Sequence, residues 1–194
     1  MRHAGHIFNV SSVGGVVATP AWSTYCATKS ALETFTDALA RELWLFGVRV
    51  FTVAPGYFPT EIFHKHPAFV KDGASADQAK ENPSTVYTDP ETQGFNSMNW
   101  IPRYSEAHGL VGDPQKLAER VYEVVTGVGL AAEVMSKYAD KGWTRILCGT
   151  DSGQLQLTRL EDIVGNIKAY EPIWTSTDRQ RVGLTEGLTT HASL

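Results

Sequence analysis

Three residues near the start of the chain carry the side chains of a proton-transfer site: Ser12, Tyr25 and Lys29. Tyr25 and Lys29 are four residues apart, so on a helix they lie one turn apart on the same face. Ser12 lies thirteen positions before Tyr25, directly after an apolar segment typical of a strand. If the end of that strand lies against the start of the helix, a hydroxyl, a phenol and an ammonium come together.

Such a trio can exchange a proton with an alcohol or carbonyl oxygen. A free phenol loses its proton only at about pH 10, but a neighbouring cation and the positive end of a helix dipole both stabilise the phenolate. Lys29 can supply the first effect and the helix start the second, which makes Tyr25 a candidate general acid or base. Ser12 can donate a hydrogen bond to the same substrate oxygen. The Tyr-x-x-x-Lys spacing also occurs on ordinary amphipathic helices, so the surrounding elements must decide.

Those elements are two predicted strands and one long helix. Residues 6–11 and 48–54 are short, apolar and rich in β-branched side chains, as expected of buried parallel strands. Between them, apolar residues recur at helical spacing over residues 21–46, and Gly47 is predicted to end the helix. A strand, helix and strand in this order predict an α/β fold with a parallel crossover.

The second strand leads into the sequence Pro-Gly-Tyr-Phe-Pro-Thr at residues 55–60. Open α/β sheets bind ligands at the carboxyl ends of their strands, which is where this segment lies. A Pro-Gly pair also makes an ordinary strand-ending turn, so the segment taken alone leaves both interpretations open.

Together these motifs resemble the short-chain dehydrogenase/reductase family, in which a strand ending in Asn-Val-Ser-Ser precedes Tyr-x-x-x-Lys and then Pro-Gly-x-x-x-Thr. The match covers residues 5–60 and is weaker over residues 112–114 and 145–149. The resemblance implies a doubly wound, Rossmann-like parallel sheet and an oxidoreductase that uses NADP or NAD, with NADP favoured because many reductases of the family use it. Its substrate would be a carbonyl or secondary alcohol on an apolar small molecule. The resemblance assigns catalysis to Ser12, Tyr25 and Lys29, and cofactor binding to Tyr25, Lys29, Pro55, Gly56, Phe58 and Thr60.

The glycine-rich turn of that family, Thr-Gly-x-x-x-Gly-x-Gly, does not occur before Ser12. The resemblance therefore implies a partial fold that lacks its N-terminal half, through either a real truncation or a misplaced start. A truncated product would be a non-catalytic fragment that acts only through protein association. In similar proteins the helix that carries the tyrosine packs against its counterpart, so residues 21–46 are the expected surface of a homo-oligomer.

The rest of the chain is predicted to belong to the same domain, over residues 1–172, with a polar tail at 173–194. Residues 60–112 are rich in Pro, Gly, Asn, Ser and Asp, and in similar proteins this region forms the substrate-binding cover. His64 and His66 lie there without a partner motif, so no metal site is predicted.

Asp113 and Pro114 predict the start of a further helix. Residues 127–132 fit the dinucleotide fingerprint Gly-x-Gly-x-x-Ala, but that motif requires a preceding strand. The segment before Gly127 has a helical pattern, so we favour a helix C-cap followed by a loop. Residues 144–148 are a third predicted strand, and Ser152 is the predicted cap of the last helix.

The composition narrows the class of protein. The 194 residues are 42% hydrophobic, enough for one globular core, and the net charge of −4 argues against nucleic acid as a partner. No apolar segment reaches the roughly 18 residues of a membrane span, and the first residues lack a secretory signal. The widely separated Cys26 and Cys148 indicate reduced thiols and, with the other features, a cytoplasmic protein.

Overall fold

The computed structural model describes residues 5–20, 22–60 and 109–178. Within these ranges three parallel strands form one sheet in the order β1, β2, β3. The sheet confirms the predicted α/β class and the βαβ unit. The strands span Gly5–Val10 (β1), Val48–Pro55 (β2) and Arg145–Cys148 (β3).

Helices connect and follow these strands. They are α1 (Ser23–Leu43), α2 (Pro114–Thr126), α3 (Gly129–Lys137), α4 (Thr150–Ala169) and α5 (Glu171–Thr175). Single turns of 3-10 helix lie at Val13–Gly15, Trp44–Phe46 and Ala139–Lys141.

The central strand β2 holds the most deeply buried part of the sheet. Its side chains from Val50 to Ala54 are at most 2% exposed. Phe58, just beyond the strand, joins Val53 and Cys148 in a buried apolar cluster, against which two α2 side chains, Leu117 and Val121, pack. The apolar sequence of β2 thus reflects coverage on both faces, as expected of a parallel strand.

Polar groups join α1 to the sheet. Asn9 Nδ2 on β1 donates to Thr36 Oγ1 at 2.9 Å, and the buried hydroxyl of Ser11 donates to Glu33 Oε1 at 2.8 Å. Arg145 Nη1 on β3 donates to Glu33 Oε2 at 2.5 Å. Because Glu33 is 4% exposed, its carboxylate depends on these two partners for compensation of its lost hydration.

Both predicted ends of α2 are confirmed. Asp113 Oδ1 accepts hydrogen bonds from the backbone amides of Gln115 and Lys116 at 2.9 and 3.3 Å, with Pro114 as the first helical residue. Gly127 ends the helix in the left-handed conformation, with φ of 72°, and its N–H donates to Glu123 O. The local cap signals therefore specified this helix completely.

Two predictions beyond α2 are wrong. The residues after Gly127 form helix α3 rather than a loop. Helix α4 already begins at Thr150, so Ser152 lies inside it and is not its cap. The Ser152 hydroxyl instead donates to the carbonyl oxygen of Ala54 at 2.8 Å, a partner 98 residues away that no local pattern indicates.

The chain divides into two compact units, Met1–Arg159 and Leu160–Leu194. In the described part of the second unit, Trp174 Nε1 donates to the carbonyl oxygen of Ile167 at 3.0 Å, which holds α5 to the end of α4. No helix within the described ranges is long and apolar enough to cross a membrane.

Candidate active site

The carboxyl ends of β1 and β2 lie side by side. Val10 pairs with Val53, and the backbone N–H of Ser11 donates to the Val53 carbonyl at 2.8 Å. Ser12 directly follows Ser11, and the Pro55–Gly56 turn ends β2 at the same level. The two motifs singled out from the sequence therefore meet at one edge of the sheet, where open α/β sheets bind ligands.

Ser12 occupies the cap position of the short helix Val13–Gly15. Its backbone is extended, with φ of −165° and ψ of 164°, and its Oγ accepts a hydrogen bond from Gly14 N at 3.2 Å. A hydroxyl that accepts one bond keeps its own proton for donation. Ser12 is therefore held in place by the bond it accepts and can still donate to a ligand oxygen.

Tyr25 lies in the first turn of α1, against this short helix. A methyl group added at Gly14 would lie 3.1 Å from Cε1 of the Tyr25 ring, so the glycine backbone reaches the edge of the phenol. On the other side the Trp22 ring meets Tyr25 edge to face, with centroids 5.9 Å apart. Tyr25 remains 42% exposed, so packing orients its ring while a ligand can still reach it.

Lys29 lies one turn further along α1. Its Nζ donates to the carbonyl oxygen of Val10 at 3.0 Å and lies 5.8 Å from the centroid of the Tyr25 ring. An ammonium has three N–H donors, so the bond to Val10 leaves capacity for a ligand. The structure thus brings Ser12, Tyr25 and Lys29 to one edge of the sheet, while their catalytic roles stay a prediction.

The segment at residues 55–60 is tied down through its backbone. Gly56 N donates to Cys148 O at 2.8 Å, Gly112 N donates to Tyr57 O at 3.1 Å, and Tyr57 N donates to the Asp151 carboxylate at 2.6 Å. The Phe58 ring is buried in the core cluster, so its backbone alone is available to a ligand, whereas Thr60 is exposed.

Sequence reasoning missed Asp151, which is 94 residues from its partner Tyr57. A carboxylate after a strand and a glycine is a common sequence, and nothing near Asp151 in the chain indicates that it contacts the Pro55–Gly56 turn. The long parallel crossover between β2 and β3 brings the two together.

The dinucleotide fingerprint at residues 127–132 is not a phosphate site. Helix α2, rather than a strand, precedes it. The Glu123 carboxylate accepts a hydrogen bond from Ala131 N at 2.9 Å and pairs with Arg120 at 2.8 Å, so an anion already occupies the start of α3. A second anion there would meet the negative charge of Glu123.

The two cysteines have the surroundings of core residues, and no metal site is found among the described residues. Cys26 and Cys148 are both free and buried, and burial raises the pKa of the Cys148 thiol above its ordinary value. Within the part of the chain that the structure describes, no three His, Cys, Asp or Glu side chains are grouped to hold a metal ion. His64 and His66 lie outside the described residues.

The parallel βαβ unit, with hydroxyl, phenol and ammonium at its carboxyl edge, defines a Rossmann-like α/β protein. A sequence profile of the short chain dehydrogenases matches residues 1–70. The relatives and the solved structure below show the same similarity to the short-chain dehydrogenase/reductase family.

Among its curated relatives, the uncharacterised oxidoreductase YusZ of Bacillus subtilis is 29% identical over 127 residues, 64% of this chain and 40% of that protein. Retinol dehydrogenase 16 of Homo sapiens is 45% identical over 64 residues, 33% of this chain and 20% of that protein. A crystal structure of a short-chain dehydrogenase from Streptomyces avermitilis superposes with a TM-score of 0.61 at 26% identity. That superposition covers 91% of this chain and 54% of the other, so the chain spans about half or less of each relative.

The similarity to this family implies a nicotinamide cofactor, and the groups at this edge are chemically suited to one. The Lys29 ammonium has donors left after its bond to Val10, and the Tyr25 phenol is exposed beside it. These groups can bind the hydroxyls of a ribose. The backbone at Phe58 and the Thr60 hydroxyl, on the adjoining turn, are polar groups of the kind that a carboxamide binds.

Proposed function

We propose that this chain carries the proton-transfer site of an oxidoreductase that interconverts a carbonyl and a secondary alcohol with NADP or NAD. Tyr25 exchanges the proton with the substrate oxygen, Lys29 stabilises the phenolate and binds the ribose, and Ser12 orients the substrate oxygen. Pro55, Gly56, Phe58 and Thr60 form the backbone turn against the nicotinamide. The cofactor, when bound, supplies or accepts the hydride.

One observation carries this proposal. The backbone of Gly14, two residues after Ser12, lies against the Tyr25 ring, at the strand end to which Lys29 is hydrogen-bonded. A helix with Tyr-x-x-x-Lys on a solvated face would need no such contacts. Here the phenol is oriented by packing, stays 42% exposed and has an ammonium one turn away. This is the arrangement that general acid catalysis at a substrate oxygen requires.

In the direction of carbonyl reduction, Tyr25 Oη donates its proton to the oxygen as negative charge develops there. The Ser12 hydroxyl donates a hydrogen bond to the same oxygen and stabilises that charge. The Lys29 ammonium then stabilises the phenolate that remains. In alcohol oxidation the same groups act in reverse, and Tyr25 accepts the proton.

An apolar substrate is the expected class. The human relative is named for retinol, an apolar alcohol. The family resemblance places the substrate cover in residues 60–112, most of which lie outside the described residues. NADP is the cofactor we favour over NAD, because many reductases of this family use it. The buried, reduced cysteines accord with the expected cytoplasmic location.

The test uses the full-length protein that carries this sequence, assayed for NADPH- and NADH-dependent reduction of a panel of apolar ketones and aldehydes. Tyr25→Phe removes the exchangeable proton and should lower kcat by roughly 10² to 10⁴-fold. Tyr122→Phe, on an exposed tyrosine of α2, is the matched control and should keep the parental rate. Parental kcat in Tyr25→Phe would show that this phenol is not the acid.

A second candidate function is association without catalysis. The second half of α1 and the turn after it expose four large apolar side chains, namely Phe35, Trp44, Leu45 and Phe46. Leu45 is 91% exposed. This surface favours a partner, such as a second copy of the chain meeting it through residues 21–46. Sedimentation should then show an oligomer that Leu45→Asp dissociates, together with no turnover by the parental protein on any carbonyl tested.

A further inference from the structure

We propose that Asp151 is a positioning residue for the cofactor, because its carboxylate fixes the turn at residues 55–60 that faces the nicotinamide. The inference rests on the proposed function and adds to it a residue 94 positions from Tyr57 along the chain. Asp151 contacts the backbone of the turn, so its effect on the ligand passes through that backbone.

Each carboxylate oxygen of Asp151 has a backbone donor. Oδ2 accepts from Tyr57 N at 2.6 Å, and Oδ1 accepts from Ser152 N at 2.9 Å. The residue is 5% exposed, so these bonds lie in a poorly hydrated environment, where a charged acceptor strengthens them. The carboxylate also lies in the first turn of α4, where the helix dipole stabilises a negative charge.

Two glycines leave the space that this carboxylate needs. A methyl group at Gly56 would lie 2.2 to 2.4 Å from the carboxylate atoms of Asp151. A methyl group at Gly149 would lie 2.4 Å from Oδ1, and Gly149 also has φ of 94°, a conformation that other residues rarely adopt. The glycine of the Pro55–Gly56 turn is thus required for contact with Asp151, besides its role in turning the chain.

The residue next to Asp151 is itself hydrogen-bonded to the sheet. The next residue, Ser152, is fully buried and donates from Oγ to the carbonyl oxygen of Ala54 at 2.8 Å, and Gln156 Nε2 donates to Ser152 Oγ at 3.0 Å. The start of α4 is therefore fixed to the end of β2 immediately before the turn. From this anchor the carboxylate holds Tyr57 N, while Gly112 N holds Tyr57 O on the other side.

Asp151→Asn removes the charge and one acceptor of the carboxylate while it keeps the size of the side chain. An amide of the same size has one acceptor oxygen, so one of the two backbone N–H groups must face the NH₂ group and lose its bond. Ser152→Ala is the structural control, because it removes the bond to Ala54 and leaves the carboxylate against Tyr57. Glu161→Gln, on an exposed part of the same helix, controls for the change of charge.

Binding is measured by calorimetry with NADPH and with 2′-phospho-ADP-ribose, the same nucleotide without its nicotinamide. Loss of one charge-assisted hydrogen bond corresponds to about a tenfold effect, so Asp151→Asn should weaken NADPH about tenfold and change 2′-phospho-ADP-ribose less than twofold. Ser152→Ala should lower the melting temperature and, because the carboxylate itself remains, weaken NADPH less than Asp151→Asn does. Equal weakening of both ligands by Asp151→Asn, or no change in either, would overturn the proposal.

A measurement on the parental protein covers the case in which Asp151→Asn does not fold. The Tyr57 amide should exchange its hydrogen slowly with deuterium, and rapid exchange would overturn the contact on which the inference rests. Failure of the two proposals is distinguishable. Parental activity of Tyr25→Phe overturns the catalytic assignment alone. Equal effects of Asp151→Asn on the two ligands overturn the positioning role alone. If the parental protein binds neither NADPH nor NADH, both proposals are overturned.

Discussion

Lys29 is hydrogen-bonded to Val10, because its ammonium donates to the Val10 carbonyl oxygen at 3.0 Å. This bond joins α1, one turn beyond Tyr25, to the last residue of β1, two residues before Ser12. A single side chain therefore fixes the distance between the strand end and the helix face. In the proposed site the same ammonium both locates the phenol relative to the strand and provides its positive charge.

We predict that Lys29→Met loses both rate and cofactor affinity. Methionine keeps an unbranched apolar stem but removes the charge, the hydrogen bond to Val10 and the donors available to a ribose. We expect kcat to fall by about 10²-fold, the lower range of acid–base effects, and the dissociation constant of NADPH to rise. Lys116→Met, on exposed α2, is the control; unchanged NADPH affinity in Lys29→Met would refute the second role.

Ser12→Ala should lower the rate while NADPH affinity stays near its parental value. The substitution removes one donor to the substrate oxygen, an effect of roughly 10²-fold in kcat for comparable sites. It also removes the bond from Gly14 N, a capping loss of about 1 kcal/mol that urea unfolding can measure. Ser12→Thr retains a hydroxyl and should recover part of the rate. A parental rate in Ser12→Ala would exclude Ser12 from the chemistry.

Glu33→Ala should strongly destabilise the protein. It leaves Arg145 without its carboxylate partner and the buried Ser11 hydroxyl without its acceptor. Breaking one side of a buried pair costs about 3–5 kcal/mol, and we expect the lower end because the Arg145 side chain is 32% exposed. Glu119→Ala, which breaks an exposed pair with Arg120, should change the free energy of unfolding by less than about 1 kcal/mol. Similar losses in both variants would contradict this account.

Cys148 should resist alkylation in the folded protein. Burial raises the pKa of its thiol, so at mildly alkaline pH a smaller fraction is thiolate, the reactive form, than in the unfolded chain. Raising the pH should increase the thiolate fraction and speed the reaction. Mass spectrometry after iodoacetamide treatment should find Cys148 unlabelled until guanidinium chloride unfolds the chain. Rapid labelling under native conditions would contradict its burial.

Local sequence was sufficient for the elements that carry the candidate site. The β-branched segments, the apolar spacing of α1 and the caps at Asp113 and Gly127 all depend on residues within a few positions of one another. The four-residue spacing of Tyr25 and Lys29 fixed their common helix face for the same reason. Helix α3 was missed because Gly127, which ends α2, and Gly129, the first residue of α3, together suggested a loop. The Glu123 carboxylate, eight residues from Ala131, instead accepts a hydrogen bond from the first turn of α3.

By itself, the sequence determined which residues can do chemistry and that they follow adjacent strands of a parallel sheet. Tertiary structure decided what holds them there. Asp151 is 94 residues from Tyr57, and Arg145 is 112 residues from Glu33, so neither pair leaves a local pattern. Parallel strands require long crossovers, and these bring distant segments into contact at the sheet edge. The side chains that secure the Pro55–Gly56 turn and α1 therefore became visible only in the folded chain.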